Sequence, residues 1–225
     1  MYKAIDIAKS FIKDEVVGLD NNYAGNMKIN KLLYFAQVVN LVLEDEPLFD
    51  DCMFAFENGV VVENVRKEYR DNYRDLVKGA KELVMEFPAN VQQTLEITKE
   101  IFGSISSREL SDLTHQSEIW KRYYDESIQS GGHYFYNTEK SRIDITKFYD
   151  EFKCDLDNVK LMLESHFETN NIEEEDYIEI KNVKFYYNPN QININEELRY
   201  ELENFPADDN AYSLYMDDKQ GLVIY

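Results

Sequence analysis

Residues 26–43 carry apolar side chains around almost the whole circumference of a helix. Ile29, Leu32, Leu33, Ala36 and Leu43 fall on one side, and Phe35, Val38, Val39 and Val42 widen the surface. A helix of that breadth has no face to give to water. It must be central, with neighbours packed on it from two directions. Pro47 ends it or opens the next connection.

Helical spacing continues on both sides of this segment. Ala4, Ile7, Ala8, Phe11 and Ile12 share one face, with Gly18 as the stop. Val65, Tyr69, Tyr73, Leu76, Ala80, Leu83, Val84 and Phe87 predict one helix from about 64 to 87, broken by Pro88. Shorter helices fit 89–102, 107–114 and 117–129. Ser106 and Glu109 have the spacing of a capping box, and Ser117 can cap the next helix. A single long helix is predicted over 144–168.

After Asn170 the period shortens. Residues 177–180 and 183–187 predict strands around Lys181-Asn182, and 212–216 with 222–225 predict a second hairpin. A brief helix is placed at 195–204. The class is α+β: a mostly helical N-terminal body and a small antiparallel β-containing C-terminal extension. The expected domains are 1–134 and 135–225, packed together because the tail's aromatics need cover.

Charge narrows the partners. The 225 residues hold 44 acids and 24 bases, a net of −20, and residues 170–225 alone hold 13 acids and 4 bases. Such a surface disfavours nucleic acid and anionic membrane, and suits a partner with a basic face. No stretch approaches the roughly 20 apolar residues of a membrane span. Two cysteines, Cys52 and Cys154, are too few for a disulfide scaffold, and the chain reads as cytoplasmic.

The chain carries no phosphate-cradling GxxxxGK[ST] loop, no GxGxxG turn after a strand, and no HExxH or paired CxxC spacing. His115, His133 and His166 read as structural or surface residues. Acid pairs such as Asp50-Asp51 do not define the separated carboxylates that hydrolysis needs. The expectation is a protein without enzymatic activity, cofactor or metal.

A polar and aromatic belt is more informative. Lys28, Lys31 and Tyr34 recur three apart along the central helix. Phe56, Trp120, Tyr123 and Tyr124 supply rigid rings. Two readings stay open: edges of the core, or a recognition groove.

These residues sit in motifs that resemble the Panacea-domain family, also described as the Soc-type antitoxin domain. Lys28-Ile29-Asn30-Lys31-Leu32-Leu33-Tyr34-Phe35-Ala36-Gln37 is similar to that family's K-[LI]-x-K-L-L-Y-x-x-Q motif. Leu48-Phe49-Asp50-Asp51 resembles its LF-acidic segment. Residues 55–61, Ala-Phe-Glu-Asn-Gly-Val-Val, resemble its AW-x-x-GPV turn, with Phe56 at the usual Trp and Val60 at the usual Pro. Residues 110–120, from Leu110 through His115 to Trp120, resemble its L[ST]-x-[LF]-[TS]H…W segment.

The resemblance covers roughly residues 3–128. It implies an antitoxin or adaptor that binds a protein toxin, or a basic-surfaced effector enzyme, by direct contact. Lys28, Lys31, Tyr34, Phe56, His115 and Trp120 are the expected partner-binding residues. Glu173, Glu174, Glu175 and Asp176 form an expected acidic rim that speeds encounter. Two alternatives follow: a phage or mobile-element inhibitor that mimics nucleic acid in a basic enzyme channel, and an adaptor delivering a toxin to a protease. A homo-oligomer is compatible with either.

Overall fold

The computed structural model describes residues 2–131, 137–172, 176–217 and 221–225. They group into two compact units, one ending at Met162 and the other running from Leu163 to Tyr225.

The first unit is built on α2 (Tyr23–Glu44), whose residues 28–41 are all buried, as its apolar circumference requires. Asn22 caps it by accepting from Gly25 N at 2.8 Å. Around it stand α1 (Ala4–Lys13), a hairpin of β1 (Met53–Phe56) and β2 (Gly59–Val62), α3 (Glu63–Asp71), α4 (Tyr73–Lys81), α5 (Ala89–Phe102), α6 (Ser107–Gln116) and α7 (Glu118–Gly131). Helices α5 and α6 and strand β2 pack on α2 from different sides.

Buried polar residues of α2 organise what surrounds it. Gln37 Oε1 accepts from Leu48 N and Phe49 N, both at 3.1 Å. Asn30 Oδ1 accepts from Val62 N at 2.9 Å, and Asn40 Nδ2 donates to Glu46 O at 2.7 Å. The Gln37 and Asn30 bonds fix main chain that would otherwise be buried without a partner.

Three features differ from the sequence reading. The helix expected over 64–87 divides at Asn72, whose φ of −130° ends α3, and α4 stops at Lys81, leaving Val84 90% exposed. The helix expected over 144–168 divides into α8 (Lys147–Asp150) and α9 (Lys153–Ile172). Its break is closed by Phe152 N donating to Lys147 O at 3.0 Å, with Phe148 and Phe152 both buried. Residues 53–62 form a hairpin, where only a turn was expected, with Phe56 opposite Gly59.

The first unit also takes in residues expected to begin the extension. Ala55 N donates to Ser141 O at 2.8 Å and Ile143 N to Met53 O at 2.9 Å, so the segment after residue 137 borders β1. The compact units therefore divide well past residue 134.

The second unit holds a four-stranded sheet in the order β3 (Asp176–Ile180), β4 (Val183–Tyr187), β5 (Ala211–Asp217), β6 (Gly221–Ile224). Lys181 and Asn182 turn the first hairpin with φ of 51° and 66°, the left-handed pair a two-residue turn of the I′ kind needs. The two hairpins β3–β4 and β5–β6 are antiparallel, as expected of the extension, and β4 and β5 join them in parallel. The connection carrying α10 (Glu196–Glu203) crosses over and returns the chain in the same direction. Phe185, Ile192, Leu202 and Leu214 form the core of this unit.

Candidate functional site

Four side chains from three helices converge on the β1–β2 turn, each donating to one main-chain carbonyl. Trp120 Nε1 donates to Phe56 O at 2.9 Å, His115 Nε2 to Glu57 O at 3.0 Å, Ser111 Oγ to Asn58 O at 2.8 Å and Lys31 Nζ to Val60 O at 2.9 Å. A carbonyl can only accept, so the His115 bond requires the proton on Nε2. Four of the five consecutive carbonyls from 56 to 60 are thereby held.

Gly59 makes the close approach feasible. Its φ is +93°, and a Cβ there would lie 2.1 Å from Thr114 Oγ1 and 2.7 Å from Lys31 Nζ. Only glycine fits between the turn and the helices beneath it.

Beside the turn runs a row of rings. His115 and Trp120 have centroids 4.3 Å apart, and Trp120 stacks on Tyr124 at 5.0 Å. Phe56, His115, Trp120 and Tyr124 are all half-buried, while Glu57 and Asn58 at the apex are exposed. Apolar area is thus offered to solvent by side chains that are already fixed.

A second hydrogen-bonded chain sets the start of α7. Tyr34 Oη donates to Ser117 Oγ at 3.1 Å, and Ser117 Oγ donates to Asp155 Oδ2 at 2.9 Å. Asp155 also accepts from Glu118 N at 3.0 Å and Ile119 N at 2.9 Å. A carboxylate from α9 therefore caps α7, where free N–H groups and the helix dipole both favour negative charge.

Burial dominates the electrostatics. It pushes the Lys31 ammonium down to about 7 and lowers Lys28 as well. Burial, with the Asp155 charge behind it, pushes the Tyr34 phenol up.

The belt read from the sequence therefore separates into a surface and its support. Lys28, Lys31 and Tyr34 are no more than 3% exposed. Lys28 Nζ donates to Gly103 O at 2.6 Å and not to a carbonyl of the turn. Lys31 and Tyr34 support the surface from within. Phe56, His115 and Trp120 are the expected site residues that the turn brings to an edge. Glu173, Glu174 and Glu175 lie outside the described residues, and Asp176 is exposed at the start of β3 in the other unit. Ser111, Gly59 and Asp155 were not singled out for the site. Gly59 carried a signal in its place within the turn motif, and Asp155 had none among 44 acids.

Both cysteines are free thiols. Among the described residues no helix is long and apolar enough to cross a membrane.

The family described as antitoxin SocA-like, Panacea domain, matches residues 29–121, a span that contains Lys31, Tyr34, Phe56, His115 and Trp120. No curated protein and no solved structure matches the chain significantly.

Proposed function

Residues 29–121 are a Panacea domain of the SocA-like antitoxin family, and on that premise we propose that the chain neutralises a protein toxin by direct contact through the clamped β1–β2 turn and its row of rings. The observation that carries this reading is the set of four side chain-to-carbonyl bonds at the turn. A surface fixed before binding loses little side-chain and loop freedom on association, so its contact area converts efficiently into affinity. Half-buried aromatic rings are the anchors that interfaces favour.

The apex carries Glu57, and the whole chain is strongly acidic, so the toxin presents a basic rim to it. Neutralisation is stoichiometric and needs neither nucleotide nor metal. The encounter takes place in the cytoplasm.

The test is co-expression and calorimetry with the toxic product of a neighbouring reading frame. A saturable complex is expected in metal-free buffer, with toxin activity falling in proportion to the antitoxin added. A catalyst would inactivate many equivalents, and that result would defeat the reading. Glu57→Lys and Tyr124→Ala are expected to weaken the complex at least tenfold with the helical spectrum unchanged. Full neutralisation by both variants would remove the turn from the interface.

A further inference from the structure

A cavity of about 790 Å³ opens in the first unit beside the clamped turn. That volume lies within the range of small-molecule sites. One wall is aromatic, made by Tyr23, Phe56 and Tyr124. Two of these rings are held in place. Tyr124 is stacked on Trp120, and Tyr23 Oη accepts from Asn58 Nδ2 at 3.0 Å.

Helix α3 adds Arg66 and Arg70 to the lining, four residues apart and so on one helical face. Arg66 uses Nε and Nη2 for Glu63, at 2.6 and 2.8 Å. Arg70 uses the same edge for Asp71, at 2.7 and 2.8 Å. Among the described residues no hydrogen bond engages Nη1 of either guanidinium. Each arginine is thus oriented by a carboxylate on one edge and keeps donors on the other.

The charge of this lining runs against that of the chain. Arg66 and Arg70 line the cavity together with one carboxylate residue, Glu57, in a protein of net charge −20. Glu63 and Asp71 stand behind the arginines and do not line it.

We propose that this cavity binds a small organic anion, a planar ring bearing a carboxylate or phosphate group, with the ring against Tyr23, Phe56 and Tyr124 and the anion on the Nη1 edges of Arg66 and Arg70. The site shares Phe56, Glu57 and Tyr124 with the proposed toxin surface, but it needs no partner protein. It adds a ligand-responsive position next to the turn.

Full-length protein titrated with phenyl phosphate and with benzoate, followed by calorimetry and amide NMR, tests the site. At least one probe is expected to saturate with submillimolar Kd and shift amides of α3 and the turn. The tighter of the two identifies the anion as phosphate or carboxylate. Inorganic phosphate and benzyl alcohol, each carrying half of the chemistry, are expected to bind at least tenfold more weakly. Arg66→Gln and Arg70→Gln, both at solvent-accessible positions, are expected to weaken the preferred probe at least tenfold at unchanged thermal midpoint. The inference is overturned if neither probe binds at millimolar concentration, or if the double variant binds them as the wild type does. It is equally overturned if inorganic phosphate binds as well as phenyl phosphate, or if an acidic peptide such as acetyl-Glu-Phe-Asp-amide binds in preference to both probes.

Discussion

The indole nitrogen of Trp120 reaches across 64 positions of sequence to the carbonyl of Phe56, at 2.9 Å. The bond ties the start of α7 to the last residue of β1, and the same ring stacks on Tyr124. One side chain therefore serves both the clamp and the exposed row of rings.

Trp120→Phe separates those two roles. The ring remains, while the Phe56 carbonyl loses its donor. The expected cost is about 1 kcal/mol, because a half-buried carbonyl regains part of its hydration. Trp120→Ala should cost about 3 kcal/mol or more, since packing goes as well. Urea denaturation measures both, and hydrogen exchange at residues 57–60 should quicken in Trp120→Phe. Unchanged exchange would mean the bond does not hold the turn.

Gly59→Ala meets two obstacles together. The left-handed φ of +93° disfavours any side chain, and the new Cβ would lie 2.1 Å from Thr114 Oγ1. A loss of roughly 3 kcal/mol or more is expected. Adding Thr114→Ser leaves the hydroxyl in place and should recover little, whereas Thr114→Ala should recover the Thr114 part of the clash only, since Lys31 Nζ still lies 2.7 Å from the new Cβ. Full recovery in the double variant would show that the backbone conformation costs nothing.

Lys31 ties stability to pH. Its pKa falls from a free value near 10.4 to about 7 in the folded protein. Between those values the unfolded chain binds the extra proton, so stability rises with pH across this window. The rise across the window is roughly 5 kcal/mol. Below pH 7 the ammonium is charged in both states and the slope vanishes. Above pH 10 the phenols of Tyr34 and Tyr69, pushed up by burial, titrate first in the unfolded chain and reverse the trend. Lys31→Met should lack the rise between pH 7 and 10 when urea midpoints are compared. Parallel curves for variant and wild type would refute the assignment.

Local signals were legible in the sequence, and distant ones were not. The breadth of α2 follows from its own side chains, and the Ser106–Glu109 capping box forms as its spacing predicts. Lys31, His115 and Trp120 stood out by type, yet their acceptors are main-chain carbonyls, which leave no residue signature. The break at Asn72 follows from backbone geometry within an unbroken apolar period. Strand alternation identified β4 and β5, but orientation depends on the path of the crossover.

The relay Tyr34–Ser117–Asp155 gives the most discriminating test. Ser117 has one hydroxyl proton and gives it to Asp155 Oδ2, so its lone pairs are what accept from Tyr34 Oη. The Asp155 carboxylate takes three donors while only 6% exposed. Asp155→Asn keeps the shape, but its amide nitrogen must face an N–H or O–H group where an oxygen stood. About 2–3 kcal/mol should be lost, against roughly 1 kcal/mol for Tyr34→Phe, which removes one donor. Tyr34 and Asp155 share no direct hydrogen bond, so any coupling beyond their charge interaction runs through Ser117. A double-mutant cycle of Tyr34→Phe with Asp155→Asn should show an interaction of about 0.5–1 kcal/mol, because an altered Ser117 can no longer serve both neighbours. Tyr34→Phe with Lys28→Met, whose ammonium holds Gly103 instead, should be additive to within about 0.3–0.5 kcal/mol. If both cycles are additive, Ser117 transmits nothing and the start of α7 is held by Asp155 alone.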